Sequence, residues 1–247
     1  MTFLKPAQYA VNVEHKQPCW PSQDGRNCYN EVMTQMLTKP PEGRWLTIGD
    51  IHGCLAQLTE LMELVNPTSA DRIVFLGDYI DRGPASAGVI DYLIGFAATF
   101  PETVFLRGNH DQMFIDYLDG LDQAMFLMNG GQQTLDSYHD CRMWPVPSAH
   151  RRFLDSLQYY FESEQHIFVH AGLRPGIPLA EQSNFDMLWI RREFLESDFD
   201  WGKPVVYGHT PLKDPLLSKR RIGVDTGCVY GRQLTCCDVM SRRIWQV

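Results

Sequence analysis

Three short runs carry the residues able to do chemistry: Gly49-Asp50-Ile51-His52-Gly53, Gly77-Asp78-Tyr79-Ile80-Asp81-Arg82-Gly83 and Gly108-Asn109-His110-Asp111. Carboxylates, an imidazole and an amide oxygen together suit a hard or borderline divalent cation such as Mn, Fe or Zn, and a carboxylate such as that of Asp78 can bridge two ions. Each run follows a short apolar stretch rich in β-branched or aromatic residues: Trp45-Leu46-Thr47-Ile48, Ile73-Val74-Phe75-Leu76 and Val104-Phe105-Leu106. The pattern reads strand, polar loop, helix, twice over, with a third strand and loop behind it. In a parallel sheet such strand ends lie side by side along the carboxyl edge, so Asp50, His52, Asp78 and Asn109 are expected to converge.

The second half repeats the arrangement. Ile167-Phe168-Val169 leads into His170, Val205-Val206-Tyr207 into Gly208-His209, and Ile222-Gly223-Val224 into Asp225-Thr226-Gly227. A histidine at a strand end, recurring in separate strand–loop units, is expected to be a metal ligand rather than scaffold. His15, His139, His150 and His166 lie outside these runs and read as surface or structural residues.

These motifs, from Arg44 to the C-terminus, resemble the signature of the calcineurin-like metallophosphoesterases, specifically the phosphoprotein phosphatase family, whose pattern is Gly-Asp-x-His-Gly, Gly-Asp-x-x-Asp-Arg-Gly and Gly-Asn-His-Glu/Asp. The resemblance implies that Asp50 and His52 hold one ion, that Asn109, His170 and His209 hold a second, and that Asp78 bridges them. It implies two divalent cations, manganese foremost with iron or zinc as alternatives, and direct attack on phosphorus by a hydroxide between them, with no covalent phospho-enzyme. Two divalent cations less the charges of Asp50, Asp78 and a hydroxide leave a net positive centre that attracts a phosphate dianion.

Arg82 offers a planar fork for phosphate oxygens. His110 adjoins Asn109 and is expected to protonate the leaving oxygen, with Asp81 holding its ring. A second phosphate-binding arginine is expected in Leu188-Trp189-Ile190-Arg191-Arg192, where the family pattern points to Arg191 ahead of Arg192. Tyr230 is expected either to line the pocket or to pack in the core.

The expected reaction is hydrolysis of phosphoserine and phosphothreonine in proteins, with phosphotyrosine as a further substrate. Asn129-Gly130-Gly131, and Asp111 where eukaryotic members carry Glu, resemble the bacterial and phage branch. The alternative is a dinucleoside-polyphosphate hydrolase of the diadenosine tetraphosphate type; such relatives typically carry Ala where this chain has Asp81, which favours the phosphomonoesterase. A scaffold without turnover would need a missing ligand, and every expected position is filled.

Composition limits the partners. A formal charge of −8 and a pI near 5.4 disfavour a general binder of nucleic acid or anionic membrane. The most apolar stretch, Val89 to Ala98, is short and contains Asp91. Seven cysteines without regular spacing fit a reduced, cytoplasmic protein, with Cys54 a small residue packed beneath the first loop.

At 247 residues the chain suits one large core. The pattern predicts a mostly irregular arm over residues 1–43 and a catalytic domain over 44–247, of α/β class, its central β-sandwich of two mixed sheets flanked by helices as the family resemblance implies. Leu55, Leu58, Leu61, Met62 and Val65 predict one helix, and Val89, Ile90, Leu93, Ile94 and Ala97 a second, closed by Pro101. Met113, Phe114, Tyr117, Leu118 and Leu121 share a third helical face, with a break at Gly120. Pro147 is expected to open a further helix carrying Phe153, Leu154, Leu157 and Tyr160, and residues 233–239 and 243–247 to form a hairpin.

Overall fold

The computed structural model describes residues 43–247; the predicted arm lies outside the described residues but for residue 43. The first sheet has the strand order β10-β9-β1-β2-β3, built from β1 (Trp45–Ile48), β2 (Arg72–Phe75), β3 (Val104–Phe105), β9 (Thr235–Asp238) and β10 (Arg243–Gln246). β1, β2 and β3 run parallel, while β9 is antiparallel to both β1 and β10. The second sheet has the order β4-β5-β6-β8-β7, from β4 (Tyr160–Glu162), β5 (Ile167–Val169), β6 (Val205–Tyr207), β7 (Leu216–Leu217) and β8 (Arg221–Gly223). Its three central strands are parallel and its edge strands antiparallel. Both sheets are thus mixed, as expected.

Alternation along β2 shows how the layers stack. Ile73 and Phe75 point into the cluster beneath the helices, whereas Val74 and Leu76 join Leu106, Phe168, Val206 and Ile222 between the sheets. With both faces covered, the run reads as continuously apolar rather than alternating. The outer face of the first sheet is covered by α1 (Leu55–Val65), α2 (Ser86–Thr99) and α3 (Asn109–Leu118), and that of the second by α7 (Asn184–Trp189) and α8 (Arg192–Leu195). No described helix is long and apolar enough to cross a membrane.

The third helical stretch breaks at Gly120 as expected, but Leu121 does not stay on its apolar face. α3 stops at Leu118, and Gly120 follows with φ +74. A left-handed residue turns the chain off the helical path, so Leu121 leaves the apolar face and is 60% exposed. A short α4 (Gln123–Phe126) then passes through one π turn, Leu127–Gly131, into α5 (Gln132–Asp140). α6 (Ser148–Asp155) begins immediately after Pro147 but ends at Asp155, so Leu157 lies beyond it and Tyr160 belongs to β4 instead.

Candidate metal centre

Register brings the polar loops together. Ile48 pairs with Phe75, so the loops after β1 and β2 leave the sheet as neighbours. Their backbones then bond to each other: His52 N–H and Ile51 N–H donate to Asp78 O at 2.8 and 3.1 Å. Asp111, at the start of α3, accepts the backbone N–H of Gly108, Asp78 and Tyr79 at 2.8 to 3.1 Å, tying the second and third loops. Across the sandwich, Asp50 accepts His209 N–H at 3.0 and 3.1 Å; within the second sheet's loops, Gly208 N–H donates to His170 O at 2.8 Å.

Glycine is required at two close approaches. A Cβ at Gly108 or at Gly208 would overlap the carboxylate of Asp78 or of Asp50 respectively. Backbone strain also gathers here. His52, Asp78, Asp81, Arg82 and His209 all have φ between +46 and +72, a region that side-chain-bearing residues reach only when their surroundings over-determine them.

The side chains form two groups sharing one carboxylate. Single ligand atoms of His52, Asp78 and His110 lie within 4.8 Å of one another, and so do those of Asp78, His170 and His209. The His52 and His170 Nδ1 atoms sit 2.8 Å from the carbonyl oxygens of Ile80 and Leu76. A carbonyl can only accept, so Nδ1 carries the proton and the Nε2 lone pair faces the site. Asn109 Oδ1 lies 3.0 Å from His170 Nε2. Asp50 belongs to neither of the two tight groups; it forms part of the wall of an adjoining cavity of about 290 Å³ with His52, Arg82, Arg191, His209 and Asp225.

Burial sets the protonation of these groups. It drives the His52 imidazole down to about 3 and His209 to about 2, and lowers His170, so all three are neutral donors at physiological pH. Burial, then the nearby charges of Asp225 and Asp78, pushes Asp50 well above the usual carboxylate range, and burial raises Asp225 to about 6. Asp78 is held low in spite of its burial, because the imidazoles around it carry positive charge in the acid range where that carboxyl titrates. Crowded buried carboxylates beside neutral imidazole lone pairs make a donor set that a cation would satisfy. The residues present therefore fit divalent metal.

The two expected arginines both reach this cavity. Arg82 Nη1 lies 3.0 Å from His52 Nε2, and Arg191 Nε donates to His209 Nε2 at 3.0 Å. Arg191 sits at a non-helical break between α7 and α8, which sends neighbouring Arg192 elsewhere. The Arg192 side chain is 82% exposed and pairs with Glu196. Tyr230 lines the cavity mouth, its ring centroid 5.8 Å from the Arg82 guanidinium carbon, rather than the core.

His110 Nδ1 lies 2.7 Å from Asp81 Oδ2, both residues buried, leaving Nε2 without a hydrogen-bond partner among the described residues. The remaining Asp81 oxygen accepts Thr134 Oγ1 at 2.6 Å. Thr134, Ser86 and the loop-tying carboxylate of Asp111 had no signal of these roles in the sequence. Thr134 lies 53 residues beyond Asp81, and only the fold joins them. Cys54 is buried behind the first loop and His166 and His150 are buried, whereas His139 is exposed.

The family profile for calcineurin-like phosphoesterases matches residues 43–237. Serine/threonine-protein phosphatase 1 of Salmonella typhimurium is 31% identical over 218 residues, covering 83% of this chain and 95% of that protein. Bis(5'-nucleosyl)-tetraphosphatase PrpE of Bacillus subtilis is 30% identical over 217 residues, covering 76% and 87%. A solved structure named as a candidate diadenosine tetraphosphatase superposes with a TM-score of 0.66 at 24% identity, over 85% of this chain and 96% of that one, a likeness of fold.

Proposed function

The chain belongs to the calcineurin-like phosphoesterase family, and from that premise we propose that it is a metal-dependent phosphomonoesterase acting on phosphoserine and phosphothreonine in proteins. The reading is carried by the Asp81–His110 pair, with its 2.7 Å contact. Serine and threonine leave as alkoxides, which are poor leaving groups unless protonated during bond cleavage. Asp81 accepts the Nδ1–H of the doubly protonated ring and aims its Nε2–H at the leaving oxygen.

In this reading Asp50, His52, Asp78, Asn109, His170 and His209 hold two divalent cations, manganese foremost. Bound there, such ions supply positive charge that lowers the pKa of water and draws in the phosphoryl oxygens. Arg82 and Arg191 clamp those oxygens from the cavity wall. The water oxygen bonds to phosphorus as a water proton passes to solvent, the ester P–O bond breaks, and His110 delivers its Nε2 proton so that the alcohol leaves neutral. Inorganic phosphate remains, and the ring regains a proton from solvent.

A second reading, hydrolysis of a dinucleoside polyphosphate, draws support from the 30% identity to the Bacillus subtilis enzyme. Phosphate release from phosphoserine, phosphothreonine and phosphotyrosine peptides, set beside cleavage of diadenosine tetraphosphate with manganese present, separates the two. Faster turnover of the phosphopeptides is expected. Efficient cleavage of the dinucleotide with inert phosphopeptides overturns the proposal.

A further inference from the structure

Asp81 and Arg82 are successive non-glycine residues in the left-handed region, with φ +72 and +66. Residues that carry a side chain are strained there, so something must hold the pair in place. The π turn before α5 and α5 itself supply the hold. Gly130 O accepts Arg82 N–H at 3.0 Å, and one turn later Thr134 engages Asp81 twice. Its hydroxyl oxygen lies 2.9 Å from Asp81 N and 2.6 Å from Asp81 Oδ1, with Ser86 Oγ 3.0 Å away. Thr134, Ser86 and Asp81 are all fully buried, so no water can take the place of a lost hydroxyl.

We propose that Thr134 is a positioning residue for the leaving-group proton transfer, acting through Asp81 on His110. This rests on the acid role given to His110 above. The Asp81 carboxylate is held by two contacts, His110 Nδ1 on Oδ2 and the Thr134 hydroxyl on Oδ1, which together fix its plane. Removing the hydroxyl frees the carboxylate to rotate and leaves one buried oxygen without a donor, so the imidazole loses its fixed aim. The same contact tightens the backbone ahead of Arg82, coupling the acid to the phosphate clamp.

The test compares a phosphoserine peptide with p-nitrophenyl phosphate, whose leaving group needs little protonation. Thr134→Val keeps the shape of the side chain without the hydroxyl. It should lower kcat on the phosphopeptide by roughly tenfold or more, with KM little changed and a clearly smaller loss on p-nitrophenyl phosphate. Thr134→Ser should restore both rates, and in a His110→Asn background Thr134→Val should add little further loss. Should Thr134→Val fail to fold, Thr134→Ala carries the same comparison. Equal losses on both substrates, or losses that multiply with those of His110→Asn, overturn the proposal. His110→Asn alone tests the acid: an unaffected kcat there sinks the acid role, while a slowed His110→Asn beside an unaffected Thr134→Val sinks only the positioning role.

Discussion

Asp78 Oδ2 stands 3.5 Å from His170 Nε2, so a carboxylate carried by the first sheet faces an imidazole carried by the second. The same oxygen lies 3.5 Å from His52 Nε2. One atom therefore belongs to both ligand groups, and neither group is complete without it. Asp78→Asn should lower activity by at least about a hundredfold and reduce bound metal measured by elemental analysis. Near-normal activity with two metals per chain would refute the shared role. A Cβ at Gly108 would overlap the same carboxylate, so Gly108→Ala should also reduce metal content while Asp78 stays in place.

The strands and the three glycine-flanked loops were legible in the sequence because their signals are local. An apolar run of four residues ending in Gly-Asp specifies a strand and its exit within one short window. The edge strand β4 escaped notice because Tyr160 continues the helical spacing of Phe153 and Leu157, and β7 because it has only two residues. Leu121 misled because its helical spacing continued past Gly120, where the backbone did not. Most site residues sat in motifs, yet the contacts that aim them did not. Asp111 bonds N–H groups up to 33 residues away and Thr134 reaches back 53, and no window along the chain contains both ends of such a bond.

His110 makes a kinetic prediction that separates proton transfer from binding. Its side chain is buried and its Nδ1 is committed to Asp81, so replacing it should leave phosphate binding largely intact. His110→Asn should cut kcat on phosphoserine peptides by roughly 10²–10⁴-fold with KM little changed. The cut should shrink for p-nitrophenyl phosphate. A uniform loss across leaving groups of different basicity would argue that His110 serves the ion cluster instead.

Adjacent Arg191 and Arg192 should differ sharply. Arg191 Nε is 3.0 Å from His209 Nε2 in the cavity, whereas Arg192 pairs with Glu196 on the surface. Arg191→Ala should raise KM for phosphopeptides by about tenfold, since a charge-assisted fork to phosphate is lost. Arg192→Ala should leave KM and kcat within about twofold, because exposed pairs contribute little. Steady-state kinetics on the two variants decides it, and the reverse ranking would reassign the phosphate clamp.

Stability against acid rests partly on Asp71, which joins the entry to β1 with the entry to β2. Its side chain is 3% exposed and bonds Arg44 through Nε at 3.1 Å and Nη2 at 2.7 Å, and the backbone N–H groups of Arg44 and Thr68 at 2.9 and 2.8 Å. Burial alone would raise this carboxyl, but the Arg44 hydrogen bond and those backbone donors outweigh it and hold it at about 2. In the unfolded chain the group titrates near an ordinary aspartate value of about 3.9. The folded state thus releases the proton more readily, and the resulting stabilisation is fully present above about pH 4 and lost as pH falls toward 2. Asp71→Asn should cost roughly 2 kcal/mol at pH 7, read from urea unfolding of both proteins. The gap should narrow at pH 3, where the wild-type advantage is fading. A difference that stays constant from pH 7 to pH 3 would mean that the ion pair with Arg44 contributes nothing and that packing alone accounts for the loss.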